Sequence, residues 1–201
     1  MKNLSCTKER KRMRSNLRKW WAESTDEERQ SGLNWYSEAQ EFSNHLSVRF
    51  NVSRETSAGV ISALSPNNRW ERNKVDAVNV FEAVQSGVSI DHVKVCTYNA
   101  NKEKAFEIAK GNRKILKKSP KTYAFARNVG EMDNDFVTID KWHLRACQTS
   151  SKSPRQCKES CTAKQYRLLQ SDCIKVAKEI GVEGHVLQAT IWMTIRNRWT
   201  N

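Results

Sequence analysis

KSPKTYAFARNVGEMDNDFVTIDKWHLRAC, Lys118 to Cys147, is the stretch on which the fold turns. The turn Lys117-Lys118-Ser119-Pro120 hands over to a helix beginning at Lys121, in which Tyr123, Ala124, Ala126 and Arg127 precede a break at Gly130. After a short apolar run, Asp140 stands at the mouth of a second helix that continues through Trp142, Leu144 and Ala146 to about Cys147. Lys121 and Asp140 lie 19 residues apart. That span holds a short helix, a Gly-containing loop and the next helix start, so the two groups can face one pocket.

The chain on either side also reads as helix. Asp26-Glu27-Glu28 opens a helix whose apolar face repeats at Trp35, Ala39, Phe42 and Leu46 and ends near Phe50. Asn51 to Ser53 caps a shorter helix through Ala58, Ile61 and Leu64, which stops at Ser65-Pro66. The loop SPNNRW leads into a third, through Ala77, Phe81 and Val84, closed by Ser86-Gly87. Val88 to Val95 alternates like a strand but has no partner strand, and reads as irregular or as a turn of helix. Asn99 starts a helix through Phe106 and Ile108 that Gly111 interrupts. Beyond the polar loop Thr149–Ala163, helices at Tyr166 to Ile180 and Glu183 to about Trp199 complete an all-α fold of about eight to ten helices. Residues 1–19 read as a basic N-terminal arm or weak helix, and residues 20–201 as one domain.

A formal charge of +13 and a pI near 9.6 point to a polyanionic partner, with nucleic acid the expected one. Mean hydropathy of −0.77, with no long apolar run and no signal-peptide core, leads to the expectation of a monomer off the membrane and inside the cell, in the cytoplasm. Six cysteines at irregular spacing read as reduced thiols.

ISALSPNNRWERNKVDA, TYNANKEKAFEIA, SPKTYAFARN and VTIDKWHLRACQ, taken in order, resemble the helix-hairpin-helix DNA glycosylases, the endonuclease III and 8-oxoguanine glycosylase superfamily, over roughly Gly59 to Trp192. The resemblance implies that fold, a flipped nucleotide, Lys121 as the lysine nucleophile of bifunctional members and Asp140 as the catalytic aspartate. In the hairpin the chain departs from the pattern, because Lys117 and Ser119 stand where glycines are expected. LSPNNRWERN, SPKTYAFARN, TIDKWHLR and the terminal LQATIWMTIRNRW together are also similar to small phage-encoded relatives, some linked to thymine hypermodification; the resemblance makes double-stranded DNA the expected partner and, for a phage-encoded chain, the host cytoplasm the expected location. That opens an alternative: transfer of an amine to activated 5-hydroxymethyluracil, or DNA binding without turnover.

Base excision breaks a C1′–N bond through a cationic sugar, which a carboxylate such as Asp140 stabilises. Attack by Lys121 in its neutral form, favoured by burial and by Lys117 and Lys118, yields a Schiff base and permits AP lyase chemistry. Each residue also has a plainer reading: Asp140 as a helix N-cap, Lys121 as a surface cation. Asn67, Asn68, Trp70, Trp142 and His143 are candidates for the base pocket, with capping and core packing as their alternatives. Lys117, Lys118, Ser119, Thr122, Arg145 and Arg69 are candidates for the DNA backbone. His143, Cys147, Cys157 and Cys161 form H-x3-C-x9-C-x3-C, zinc ligand types at a non-standard spacing, and no cofactor is expected.

Overall fold

The structure is a computed structural model, which describes residues 7–131, 136–149 and 157–199. Among the described residues the chain is all-α, with nine α-helices, two 3-10 helices and no strand. It divides into two compact units, residues 1–37 with 133–201 and residues 38–132, where the sequence reading expects a single domain. The first boundary falls between Ser37 and Glu38, inside a continuous helix, so no proline, glycine or linker composition marks it in the sequence.

In the first unit, α1 (Thr7–Glu23) packs with α7 (Lys141–Gln148), α8 (Ala163–Ile180) and α9 (Gly184–Trp199), and the leading part of α2 (Asp26–Arg49) belongs with them. Residues 7–19 are therefore not an arm. α1 buries Met13, Leu17 and Trp20 at helical spacing, an apolar stripe that eight nearby cations mask in the sequence. Its polar groups finish α7: Asn16 Nδ2 donates to the Cys147 carbonyl at 2.9 Å, and Trp20 Nε1 to that of Thr149 at 2.7 Å. Residues 1–6 of the expected arm lie outside the described residues.

α2 opens with a reciprocal cap. Glu28 N–H bonds Thr25 Oγ1 at 3.2 Å, and Thr25 N–H bonds Glu28 Oε2 at 3.1 Å. The same carboxylate accepts from Thr194 Oγ1 at 2.9 Å and Asn197 Nδ2 at 3.0 Å, which fastens the start of α2 to α9. The two helices touch closely at Gly32, where a Cβ would stand 2.4 Å from Thr190 Oγ1 and 2.7 Å from Thr190 N.

The second unit holds the rest of α2, then α3 (Arg54–Leu64), α4 (Trp70–Gln85), a 3-10 turn Ile90–His92, α5 (Asn99–Ala109), a 3-10 helix Arg113–Lys118 and α6 (Pro120–Val129). α3 is its centre: every residue from Thr56 to Leu64 is buried, and it packs against α4, α5 and α6. The punctuation read from sequence is met, with α3 capped by Ser53, α4 closed at Ser86 before left-handed Gly87 (φ 67°), and Gly111 left-handed after α5 (φ 100°).

Candidate functional site

The turn between α5 and α6 is built without the tight glycine hairpin. Arg113–Lys118 winds as a 3-10 helix that buries Leu116, and Ser119 N–H closes it on the Leu116 carbonyl at 3.1 Å. Ser119 is extended (φ −126°, ψ 106°), and none of residues 117–119 is left-handed, as expected once Lys117 and Ser119 replace glycine. Pro120 occupies the first turn of α6. Ser119 Oγ lies 3.1 Å from Thr122 Oγ1, and the Thr122 carbonyl accepts from Ser62 Oγ at 2.5 Å, which ties the start of α6 to α3.

Lys117, Lys118 and Lys121 all come to the surface here. Lys121 is exposed, so the burial expected of a nucleophilic lysine is missing. What the turn offers is a cationic rim beside free N–H groups of a helix start, a setting suited to phosphate.

The α3–α4 loop lies in the same unit. Asn67 is exposed and left-handed (φ 57°), and its Nδ2 donates to Tyr98 Oη. Asn68 is committed to structure, its Nδ2 bonding Asp76 Oδ2 at 2.9 Å and the Leu64 carbonyl at 3.3 Å. Asp76 is fully buried and also takes Arg72 Nε at 2.8 Å and Cys96 N–H at 2.7 Å. Trp70, half-buried, meets Phe42 edge to face at 6.1 Å. Arg69 is exposed at the N-cap of α4.

Asp140 belongs to the first unit. It is the N-cap of α7, accepting from His143 N–H at 2.8 Å through Oδ1. The backbone ahead of it is extended and buried (Val137, Thr138, Ile139), and with no sheet among the described residues side chains satisfy it. Tyr166 Oη donates to the Val137 carbonyl at 2.9 Å and accepts from Ile139 N–H at 3.0 Å, while Gln170 Oε1 accepts from Val137 N–H at 3.4 Å. Tyr36 Oη lies 3.4 Å from Thr138 Oγ1 and donates to Gln188 Oε1 at 3.2 Å. A Cβ on Gly184 would reach 2.8 Å from Val137 Cγ2, so α9 also presses on this run. Burial raises the phenol pKa of both tyrosines, with the Asp140 charge adding to it.

The other first-unit candidates are structural groups. His143 is 2% exposed, and burial pushes its pKa down to about 4, so a neutral ring sits in the core rather than lining a surface pocket. Neither of its ring nitrogens has a hydrogen-bond partner among the described residues. Trp142 is half-buried beneath the Arg145 guanidinium, 4.5 Å from the ring centroid, and Arg145 also pairs with Glu159. Arg145 is therefore already engaged by an aromatic face and a carboxylate.

One family covers nearly the whole of this chain, matching residues 1–199. The chain belongs to DUF7178, a family of unknown function. No curated protein and no solved structure matches it.

In this DUF7178 member no group of three or more His, Cys, Asp or Glu among the described residues is placed so that it could hold a metal ion. Cys147 and Cys173 are fully buried, and burial raises both thiol pKa values. An open cavity of about 410 Å³ in the second unit is lined by Ala83, Val84, Val88, Ile90, Glu103 and Phe106 among others, and includes none of the catalytic, base-pocket or DNA-backbone candidates read from sequence. The residues missed by sequence reasoning are Tyr166, Tyr36 and Gln188, whose role depends on contacts up to 152 residues away in the chain. No described helix is long and apolar enough to cross a membrane.

Proposed function

We propose that the protein is a DNA-binding, glycosylase-like enzyme, in which Lys121 supplies the amine nucleophile and Asp140 the carboxylate. The observation that carries this reading is the order of parts: a helical turn ending in exposed Lys117, Lys118 and Lys121 at the start of α6, then a clamped extended run that presents Asp140 at the start of α7. In this chemistry Lys121 Nζ attacks C1′ as the base departs with the bonding electrons, and Asp140 stabilises the positive charge on the sugar. Collapse of the adduct to a Schiff base sets up β-elimination.

Borohydride trapping tests it on duplexes carrying uracil, an oxidised base or an abasic site. The expected result is a covalent adduct that Lys121→Ala abolishes and Asp140→Asn weakens. No Lys121-dependent adduct on any of these substrates removes the mechanism.

The exposure of Lys121 supports a second reading, in which no glycosidic bond is broken and Lys121 either joins Asp140 in managing protons or leaving-group charge or only holds phosphate. The protein then transfers an amine to activated 5-hydroxymethyluracil in DNA, or binds DNA without turnover. Mass spectrometry of nucleosides after incubation with activated 5-hydroxymethyluracil DNA and an amine separates these: a new aminated nucleoside identifies the transferase, and unchanged nucleosides with intact binding identify the binder.

A further inference from the structure

α1 sorts its cations by side-chain type. On the flank turned to α8, Arg10 forks onto buried Asp172 through two 2.8 Å bonds, Arg14 reaches the same carboxylate at 2.5 Å, and Arg18 pairs with Glu179. Planar guanidinium forks suit this bidentate, partly buried work. Met13, Leu17 and Trp20 occupy the buried stripe. The remaining face carries Lys8, Lys11, Arg12, Ser15 and Lys19, all exposed and spaced so that they line one side of the helix. Arg12 lies 3.7 Å from Glu9, whereas Lys8, Lys11 and Lys19 have no acidic partner among the described residues.

We propose that this lysine face of α1 docks the phosphate backbone of duplex DNA, separately from the turn before α6. The proposal rests on the DNA-binding part of the function above and not on the chemistry of Lys121. From Lys8 to Lys19 the helix runs about 16 Å at ~1.5 Å per residue. Each DNA strand presents a phosphate per ~3.4 Å of axis, so three flexible ammonium groups can meet roughly three phosphates. Contacts of these lysines to phosphate carry no sequence information, so the docking is independent of sequence. Between Lys8 and Lys19 the face has no large apolar side chain to enter a bilayer, because Met13 and Leu17 face the core, and that favours nucleic acid over an anionic membrane.

The test is fluorescence anisotropy on a short undamaged duplex across a KCl series. It compares the full wild-type chain, the triple variant Lys8→Gln, Lys11→Gln, Lys19→Gln, and the charge-keeping triple variant Lys8→Arg, Lys11→Arg, Lys19→Arg. Circular dichroism is checked on all three, and sedimentation with phosphatidylserine vesicles runs in parallel. The expected result is a log–log salt slope shallower by roughly 2 to 3 in the glutamine variant, with an equal affinity loss on unrelated sequences and full retention in the arginine variant. The proposal is overturned by an unchanged slope, by a loss that the arginine variant shares, by a loss confined to vesicles, or by a wild-type chain that does not bind duplex. Absence of the Lys121 adduct alongside the slope change removes the proposed chemistry and leaves the docking face; an adduct with an unchanged slope does the reverse.

Discussion

Asp140 has a structural duty that substitution can separate from any chemical one. Asparagine is as good an N-cap as aspartate, so Asp140→Asn should melt close to wild type, while Asp140→Ala should lose about 1 kcal/mol with the bond to His143 N–H. On the proposed reaction both variants form less adduct, and an Asp140→Asn protein that keeps full activity would leave this residue as a cap only. His143 makes a pH prediction. Its folded pKa of about 4 lies below the ordinary value of 6.5, so between these limits the unfolded chain holds the extra proton. Stability is therefore complete above pH ~6.5 and falls as pH drops toward 4, by about 3 kcal/mol in total. Burial lowers the pKa of His185 as well, against the opposing charge of Glu183, and adds in the same direction. Urea unfolding across this range should show the loss, and His143→Phe should flatten the part that His143 supplies.

Between elements, close approach decides which substitutions matter. A methyl at Gly32 meets the backbone of Thr190, which cannot rotate away, so Gly32→Ala should cost roughly 1–3 kcal/mol despite alanine's better helix propensity. At Gly59 the methyl meets only the side-chain ends of Ile108 and Leu116, each at 2.9 Å, and thermal melts should place Gly59→Ala well above Gly32→Ala. Tyr166→Phe keeps the ring but strands a buried carbonyl at Val137 and a buried N–H at Ile139, a loss of about 2–4 kcal/mol. If the Tyr166→Phe variant melts like wild type, the extended run is held by something else. Helix ends were the most legible elements in the sequence, since Ser53, Ser65-Pro66 and Ser86-Gly87 act through local backbone preferences. The Tyr166 clamp was not legible, because nothing local distinguishes a tyrosine that packs from one that holds a loop 29 residues away.

At the scale of the molecule, both units carry more Lys and Arg than Asp and Glu, so the cationic excess is not confined to one end of the chain. Duplex binding should therefore lose salt dependence in two instalments, one on removing Lys117, Lys118 and Lys121 and one on removing Lys8, Lys11 and Lys19. The combined variant should show close to the sum of the two slope changes. A single group of residues accounting for the whole slope would contradict this. Composition leads to the expectation of a polyanionic partner but not to the division of the cations, because a count of charges cannot separate an arginine neutralised by Asp172 from a lysine left to solvent. For the same reason Lys121 and Asp140 were found at helix starts, yet the exposure of Lys121 depends on what covers it.

The hydrogen bonds of the Tyr166 hydroxyl run to main-chain atoms, and this shapes what a mutational scan of the segment should record. Positions 137 and 139 should admit other apolar residues of similar bulk, because their contribution to the clamp is a carbonyl and an N–H that every such residue possesses. Position 166 should admit almost nothing else, since no other side chain carries a hydroxyl that far from its own helix. The tolerant and intolerant positions would then be reversed from what helical periodicity alone suggests, with the irreplaceable residue on α8 and the variable ones beside Asp140.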